Sequence, residues 1–112
     1  MDSEFAWLFD HHQIPEHTRE TLVNYLLKGW KPGGFCEAIL AMDLQRTVYT
    51  ADMANGPAIQ KIARWIIEKC PDGSWGSYEA VNNWLEDVNG CRTRFVEYAE
   101  QQDMWNVLKE QT

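Results

Sequence analysis

The stretch Trp30–Leu44, WKPGGFCEAILAMDL, decides how the chain folds. It starts with the tetrapeptide Lys31-Pro32-Gly33-Gly34, in which the proline blocks continuation of a preceding helix. The two glycines reach backbone angles that are closed to other residues. An apolar run with helical spacing follows, made of Phe35, Ile39, Leu40 and Met42. The stretch therefore predicts a tight turn that leads into a second helix.

Helical patterns also occupy both sides of this stretch. Pro15 suits the first position of a helix that runs to Lys28, and Gly29 suits its end. Its apolar residues recur at intervals of three and four, at Leu22, Val23, Tyr25, Leu26 and Leu27. A further helix is predicted from Pro57 to Cys70, with an apolar stripe of Ile59, Ile62, Ala63, Ile66, Ile67 and Cys70. Trp65 falls between its two faces.

Two more helical segments follow the turn-rich connector 71–77. Ser77 is a suitable N-cap for a helix that carries Val81, Trp84, Leu85 and Val88. Helix resumes at Cys91, on a stripe of Cys91, Phe95, Tyr98, Ala99, Gln102 and Trp105. Whether Gly90 breaks the two segments or sits inside one helix stays open, because an interior glycine costs only about 1 kcal/mol relative to alanine.

Residues 45–54 are ambiguous because Thr47, Val48, Tyr49 and Thr50 favour extended structure. A single strand cannot form a sheet, so we expect the second helix to continue or to give way to an irregular helical turn. The sequence thus predicts one all-α domain, a compact bundle of four to five helices. It comprises an N-terminal arm at 1–13, a core at 14–88 and a C-terminal helix at 91–110.

The charge distribution restricts the partners. The chain has a formal net charge of -7, and residues 1–27, 28–76 and 77–112 carry -4, +1 and -4. A direct nucleic-acid binder needs clustered lysine and arginine, so we expect none. Three cysteines without CxxC spacing favour a reducing compartment. No basic leader and no membrane-length apolar run is present, so we expect a cytoplasmic protein that does not enter a membrane.

Two groups of residues suggest chemistry without establishing it. Asp10, His11, His12 and His17 contain ligand types that zinc or a related metal prefers, but a solvated polar loop explains them better. Lys31 and Gly33-Gly34, with Cys36 and Asp52, could form a small ligand site. A helix–helix turn with a packed cysteine explains the same residues, and no nucleophile–base pair stands near them. We therefore expect no catalytic residues, no cofactor and no metal.

Surface contacts are the remaining source of function. The six tryptophans exceed ordinary usage, and this residue type is enriched at binding hot spots. The acidic ends supply carboxylates that can steer association with a basic partner. The predicted partner-binding residues are Trp7, Trp30, Trp75, Glu86, Asp87, Glu97, Glu100 and Asp103. A second set of contacts, purely aromatic, adds Trp65 and Trp105. Homodimerisation through the long last helix stays open.

The middle two-thirds of the chain resembles a family of small helical proteins encoded by phages and prophages. The resemblance rests on Pro15, Tyr25, Gly29, Pro32-Gly33-Gly34-Phe35, Leu40, Asp43-Leu44, Ala51-Asp52, Asn55, Pro71 and Trp75-Gly76-Ser77. It implies a fold and no catalytic residue. In size and charge the chain also resembles the small acidic proteins that phages use against restriction or CRISPR systems.

Three functions are compatible with these features. The first is a phage-encoded inhibitor that binds a host protein or protein–nucleic-acid complex of a defence system. The second is a phage adaptor or assembly protein with aromatic contacts. The third is a small ligand- or nucleotide-binding protein, which ranks last because no convergent set of polar residues is evident.

Overall fold

The computed structural model describes residues 14–101, and the remaining residues at either end lie outside it. Within that range the chain forms six α-helices and no β-strand. The helices are α1 (Glu16–Lys28), α2 (Gly34–Leu40), α3 (Leu44–Thr50), α4 (Ile59–Lys69), α5 (Tyr78–Leu85) and α6 (Cys91–Gln101). The predicted all-α class is confirmed, but the predicted number of four to five helices is wrong.

Helix α1 has the limits that its sequence indicates. Pro15 immediately precedes the helix, so the helix begins one residue later than predicted. Gly29 ends the helix with a φ of 67°, and its N–H donates to the carbonyl oxygen of Tyr25 at 3.1 Å. Glycine reaches this left-handed conformation at little cost, so the predicted glycine stop is confirmed.

Helix α2 lies at the centre of the described fold, since it packs against α1, α3, α4 and α5. The core around it consists of the buried faces of α1, α4 and α5 together with one residue of α6. Its principal members are Leu22, Tyr25, Leu26, Ile39, Leu40, Ile62, Ile66, Val81, Trp84 and Ala99. Ile39 and Leu40 of the predicted apolar run are buried in α2, whereas Met42 lies beyond the end of the helix and is exposed, so its assignment to the run was wrong.

The chain turns sharply between α2 and α3, where a continuing or irregular helix was predicted. Met42 adopts a left-handed φ of 62°, and the N–H of Asp43 returns to the carbonyl oxygen of Ala38 at 2.9 Å. The Asp43 carboxylate then accepts from the N–H of Arg46 and caps a new helix. Residues 44–50 are helical, as expected in place of a strand, but the prediction that the second helix continues there was wrong, because the chain turns at Met42.

Helix α4 confirms most of its predicted stripe but not all of it. Ile62 and Ile66 are fully buried, whereas Ile67 is about half exposed. Trp65 takes the inward position beside Ile66. Because Ile62, Trp65 and Ile66 already complete an i, i+3, i+4 face, Ile67 is rotated away from the core. The assignment of Ile67 to the core was wrong.

Helices α5 and α6 are separated by a true break. The Ser77 hydroxyl accepts from the N–H of Ala80 at 3.0 Å, which confirms the predicted cap of α5. Left-handed φ angles at Asp87, Asn89 and Gly90 then end the helical path. Val88 lies in the short turn between the helices and is exposed, so its assignment to the α5 stripe was wrong.

Helix α6 closes one side of the core. Ala99 is fully buried, and the ring of Phe95 lies 5.8 Å from that of Trp84. Tyr98 is largely exposed, so its predicted place on the buried stripe was wrong. The other predicted members, Gln102 and Trp105, lie outside the described residues. Between residues 14 and 101, no helix has the length and apolar character needed to cross a membrane.

Candidate interaction surface

The outward face of α3 exposes large apolar side chains that a folded core would normally hide. Leu44 is 71% exposed, Val48 59% and Tyr49 89%. Leu44 and Val48 are four residues apart and therefore adjacent on the helix surface. Tyr49 follows Val48 directly and lies about 100° further round the helix. Thr47, on the same helix, is buried. We call Leu44, Val48 and Tyr49 the α3 outer face.

The next turn continues this exposed apolar character. Met53 is 93% exposed. The turn that carries it is fixed by Asp52, whose Oδ1 accepts from the N–H groups of Ala54 at 3.0 Å and Asn55 at 2.7 Å. Methionine is adaptable at binding surfaces because its side chain is unbranched and polarisable. A partner that covers α3 would find Met53 three residues beyond the helix end.

A hydrogen-bonded network attaches α3 to α2 and α5. The Tyr78 hydroxyl donates to Asp43 Oδ2 at 2.6 Å, and Arg46 Nη1 donates to Glu37 Oε1 at 2.9 Å and to the Tyr78 hydroxyl at 3.0 Å. The Tyr78 hydrogen bond, followed by that from the Arg46 backbone N–H, lowers the pKa of the Asp43 carboxyl. Bonds to Tyr78 and Glu37 raise the pKa of Arg46. These bonds hold α3 in place, so a partner would not have to order the helix when it binds the outer face.

The residues of the proposed ligand site are engaged in different structural roles. Lys31 borders a shallow groove of about 340 Å³ between the start of α2 and α5, together with Glu37, Tyr78, Val81, Asn82 and Leu85. Gly33 and Gly34 form the exposed start of α2, a helix of only seven residues. Cys36 is buried, and burial raises the pKa of its thiol to about 12. Asp52 fixes the turn described above.

The predicted metal cluster falls mainly outside the described range. Asp10, His11 and His12 precede residue 14, and His17 is exposed on the first turn of α1. Across residues 14–101 no three His, Cys, Asp or Glu side chains are grouped closely enough to hold a metal ion.

The predicted aromatic contact residues occupy different environments. Trp30 is 58% exposed, and the Lys28 ammonium lies 4.6 Å from its ring centroid. Trp75 is half-buried and packs against the core. Trp65 is buried on α4. Trp7 and Trp105 lie outside the described residues. Of these, Trp30 has the surface position that a direct contact needs.

The predicted acidic contact residues also divide into two groups. Asp87 accepts from the N–H groups of Arg92 at 2.8 Å and Thr93 at 2.9 Å and from the Thr93 hydroxyl, and these bonds lower its pKa. Glu86 accepts from Asn82 Nδ2 at 2.9 Å. Glu97 and Glu100 are exposed on α6. Asp103 lies outside the described residues.

Sequence reasoning missed the α3 outer face. The signal was present, since Leu44 and Val48 have helical i, i+4 spacing. It was obscured because the Thr47–Thr50 segment is rich in residues that favour strands. No family model, curated protein or solved structure matches the chain.

Proposed function

We propose that the protein is a phage-encoded, non-enzymatic inhibitor that binds a protein component of a host defence complex, of the anti-CRISPR or anti-restriction kind. The phage assignment rests on the sequence resemblance given above. The observation that carries a binding role is the α3 outer face, where Leu44, Val48 and Tyr49 are all more than half exposed.

This face has the physical properties of a protein-binding surface. Burying apolar area contributes roughly 25 cal/mol per Å², and tyrosine is among the residues that dominate binding energies. Affinity also depends on how little must be ordered on binding. The bonds from Asp43, Arg46 and Tyr78 hold the helix in place before a partner arrives.

The acidic surface supplies the second part of the proposal. Glu97 and Glu100 are exposed on α6, in a chain with a formal net charge of -7. Defence complexes that bind nucleic acid carry basic surfaces, and opposite charge raises the rate of encounter. In this account the carboxylates guide association, and the α3 outer face holds the complex together.

A screen for protection against host defence tests the proposal. The chain is expressed in bacterial hosts that each carry one active restriction or CRISPR system, and the plating efficiency of a phage restricted by that system is measured. We expect the plating efficiency to rise in at least one host and to stay unchanged in the same host without the system. No rise in any host would contradict the inhibitor proposal.

A phage adaptor or assembly protein is the alternative that the same exposed face favours. That role predicts an effect without any defence system. Deleting the chain from its phage would then lower the yield of progeny in a defenceless host. The inhibitor proposal predicts a normal yield there and a lower yield only in the defended host, so the two functions give opposite results.

A further inference from the structure

An open groove runs along α4, on a different helix from the α3 outer face. Its volume is about 310 Å³, and its lining consists of Ile14, Gln60, Lys61, Arg64, Trp65, Glu68 and Lys69. Lys61, Trp65 and Lys69 are four residues apart and form one row along the helix. Two ammonium groups therefore flank an aromatic ring, with Lys61 and Lys69 about 12 Å apart along the helix axis.

The charge of this groove is opposite to that of the chain as a whole. Its lining carries three cationic side chains and one carboxylate, while the chain has a net charge of -7. The carboxylate of Glu68 already pairs with Arg64 at 3.7 Å. Lys61 and Lys69 are exposed and remain available to a ligand that brings its own carboxylates. The groove fits an acidic segment that also has an apolar side chain for the Trp65 region.

The chain contains a segment of this composition immediately before Ile14, the first residue that lines the groove. Residues 1–13, MDSEFAWLFDHHQ, have three carboxylates and no lysine or arginine. Asp2 and Glu4 precede the apolar run 5–9, and Asp10 follows it. This order of acid, apolar and acid complements the order of lysine, tryptophan and lysine on α4. Ile14, the next residue along the chain, lines the groove itself.

From this complementarity we propose that the α4 groove is the docking site for residues 1–13 of the same chain. The distances permit it, because Glu4 and Asp10 are six residues apart. That separation spans about 9 Å if helical and about 20 Å if extended, a range that includes the spacing of Lys61 and Lys69. The attachment at Ile14 keeps the segment at a high effective concentration next to the groove.

Protease protection in the full-length chain tests this docking. Chymotrypsin cleaves after accessible aromatic residues, and residues 1–13 contain Phe5, Trp7 and Phe9. Intact mass after short digestion measures the cleavage rate within residues 1–13. We expect slow cleavage in the unmodified chain. The double variant Lys61→Glu/Lys69→Glu should be cleaved about tenfold faster, because two weak attractions become repulsions.

Charge exchange separates docking from a general effect. Adding Glu4→Lys and Asp10→Lys to the groove variant restores opposite charges and should restore slow cleavage. The control Lys28→Glu/Lys31→Glu makes the same change in net charge away from α4 and should leave the rate unchanged. Thermal unfolding of each variant checks that the fold is retained, which the exposure of all four lysines favours.

Three results would overturn the proposal. The first is equal cleavage of residues 1–13 in the unmodified chain and the groove variant. The second is equal acceleration by the control variant, which would indicate a nonspecific charge effect. The third is protection that disappears on dilution, which would assign the groove to a second copy of the chain.

Discussion

The hydroxyl of Tyr25 donates a hydrogen bond to the backbone carbonyl of Ser74 at 2.8 Å, and neither residue is exposed to solvent. The two residues are 49 positions apart, so this bond joins the last turn of α1 to the connector before α5. A buried carbonyl that loses its donor cannot recover a bond from water. The connector is therefore held by specific bonds as well as by packing, since the N–H of Gly76 also donates to the carbonyl oxygen of Leu40 at 2.8 Å.

Tyr25→Phe tests this bond with little change in shape. We expect the free energy of unfolding to fall by about 1–3 kcal/mol, since the carbonyl of Ser74 is left unsatisfied. Urea unfolding measures the change. Tyr49→Phe is the matched control, because the Tyr49 side chain is almost fully exposed. Equal effects of the two substitutions would show that the buried bond contributes nothing.

Gly29→Ala and Gly73→Ala form a second matched pair. Both glycines have a positive φ, 67° and 91°, so an alanine at either position incurs a backbone cost of roughly 1–2 kcal/mol. A Cβ at Gly29 would also collide with the guanidinium of Arg92, whereas the space around Gly73 is open. Arg92 is held there by bonds to the carbonyls of Trp84 at 3.1 Å and Leu85 at 3.3 Å.

We therefore expect Gly29→Ala to lower the midpoint of thermal unfolding more than Gly73→Ala does. The difference between the two midpoints reflects the collision with Arg92, because both positions carry a backbone cost and only Gly29 lies against that side chain. A scan of the two variants by circular dichroism measures it. Identical midpoints would mean that Arg92 moves aside freely and does not connect α6 to α1.

These contacts show what the sequence could and could not predict. The Gly29 stop and the Ser77 cap were predictable because each is a local rule of backbone chemistry. The pairing of Tyr25 with Ser74 was not, since nothing local to either residue indicates a partner 49 positions away. The exposure of Ile67 was missed because periodicity fixes an apolar stripe without fixing which edge of it faces the core.

The helical spacing of Leu44 and Val48 was visible in the sequence, but their outward orientation was not, for a related reason. Leu44 and Val48 have the spacing of buried helix residues, and only the turn at Met42 rotates them outward. A left-handed φ at a methionine has no clear sequence signal, because residues other than glycine rarely adopt it. The most distinctive surface of the described fold thus depends on a backbone angle that sequence patterns do not reveal.

The buried thiol of Cys36 predicts a loss of stability in alkali. Burial raises its pKa from 9.0 to about 12, so the folded chain keeps a proton that the unfolded chain releases. Stability is retained below pH 9 and falls as the pH rises from about 9 to about 12. Urea unfolding across this range measures the fall, which Cys36→Ala should reduce. Burial also raises the pKa of Cys70 and Tyr25, so part of the fall should remain. An unchanged fall in Cys36→Ala would contradict the assignment.

The Asp43 carboxylate predicts the opposite pH dependence. Its pKa is lowered below 3.8 by bonds from the Tyr78 hydroxyl and the Arg46 N–H. Its contribution is present above pH 3.8 and is lost as the pH falls further. Asp43→Asn should therefore lower the unfolding midpoint at neutral pH and converge with the unmodified chain in stronger acid. Asp72→Asn, at an exposed turn residue, is the control. A midpoint difference that persists at low pH would show that charge is not the cause.

The proposal that the α3 outer face binds a partner is tested by a pair of matched substitutions. Val48 and Ile67 are both β-branched and similarly exposed, at 59% and 53%, but they lie on α3 and α4. The host is one whose defence the unmodified chain inhibits. The plating efficiency of the restricted phage is measured on cells that express the Val48→Asp chain and on cells that express the Ile67→Asp chain. Loss of a binding hot spot costs about 2 kcal/mol or more, roughly a 30-fold weaker complex. We expect the Val48→Asp chain to lose protection and the Ile67→Asp chain to retain it. Full protection by a folded Val48→Asp protein would contradict the account.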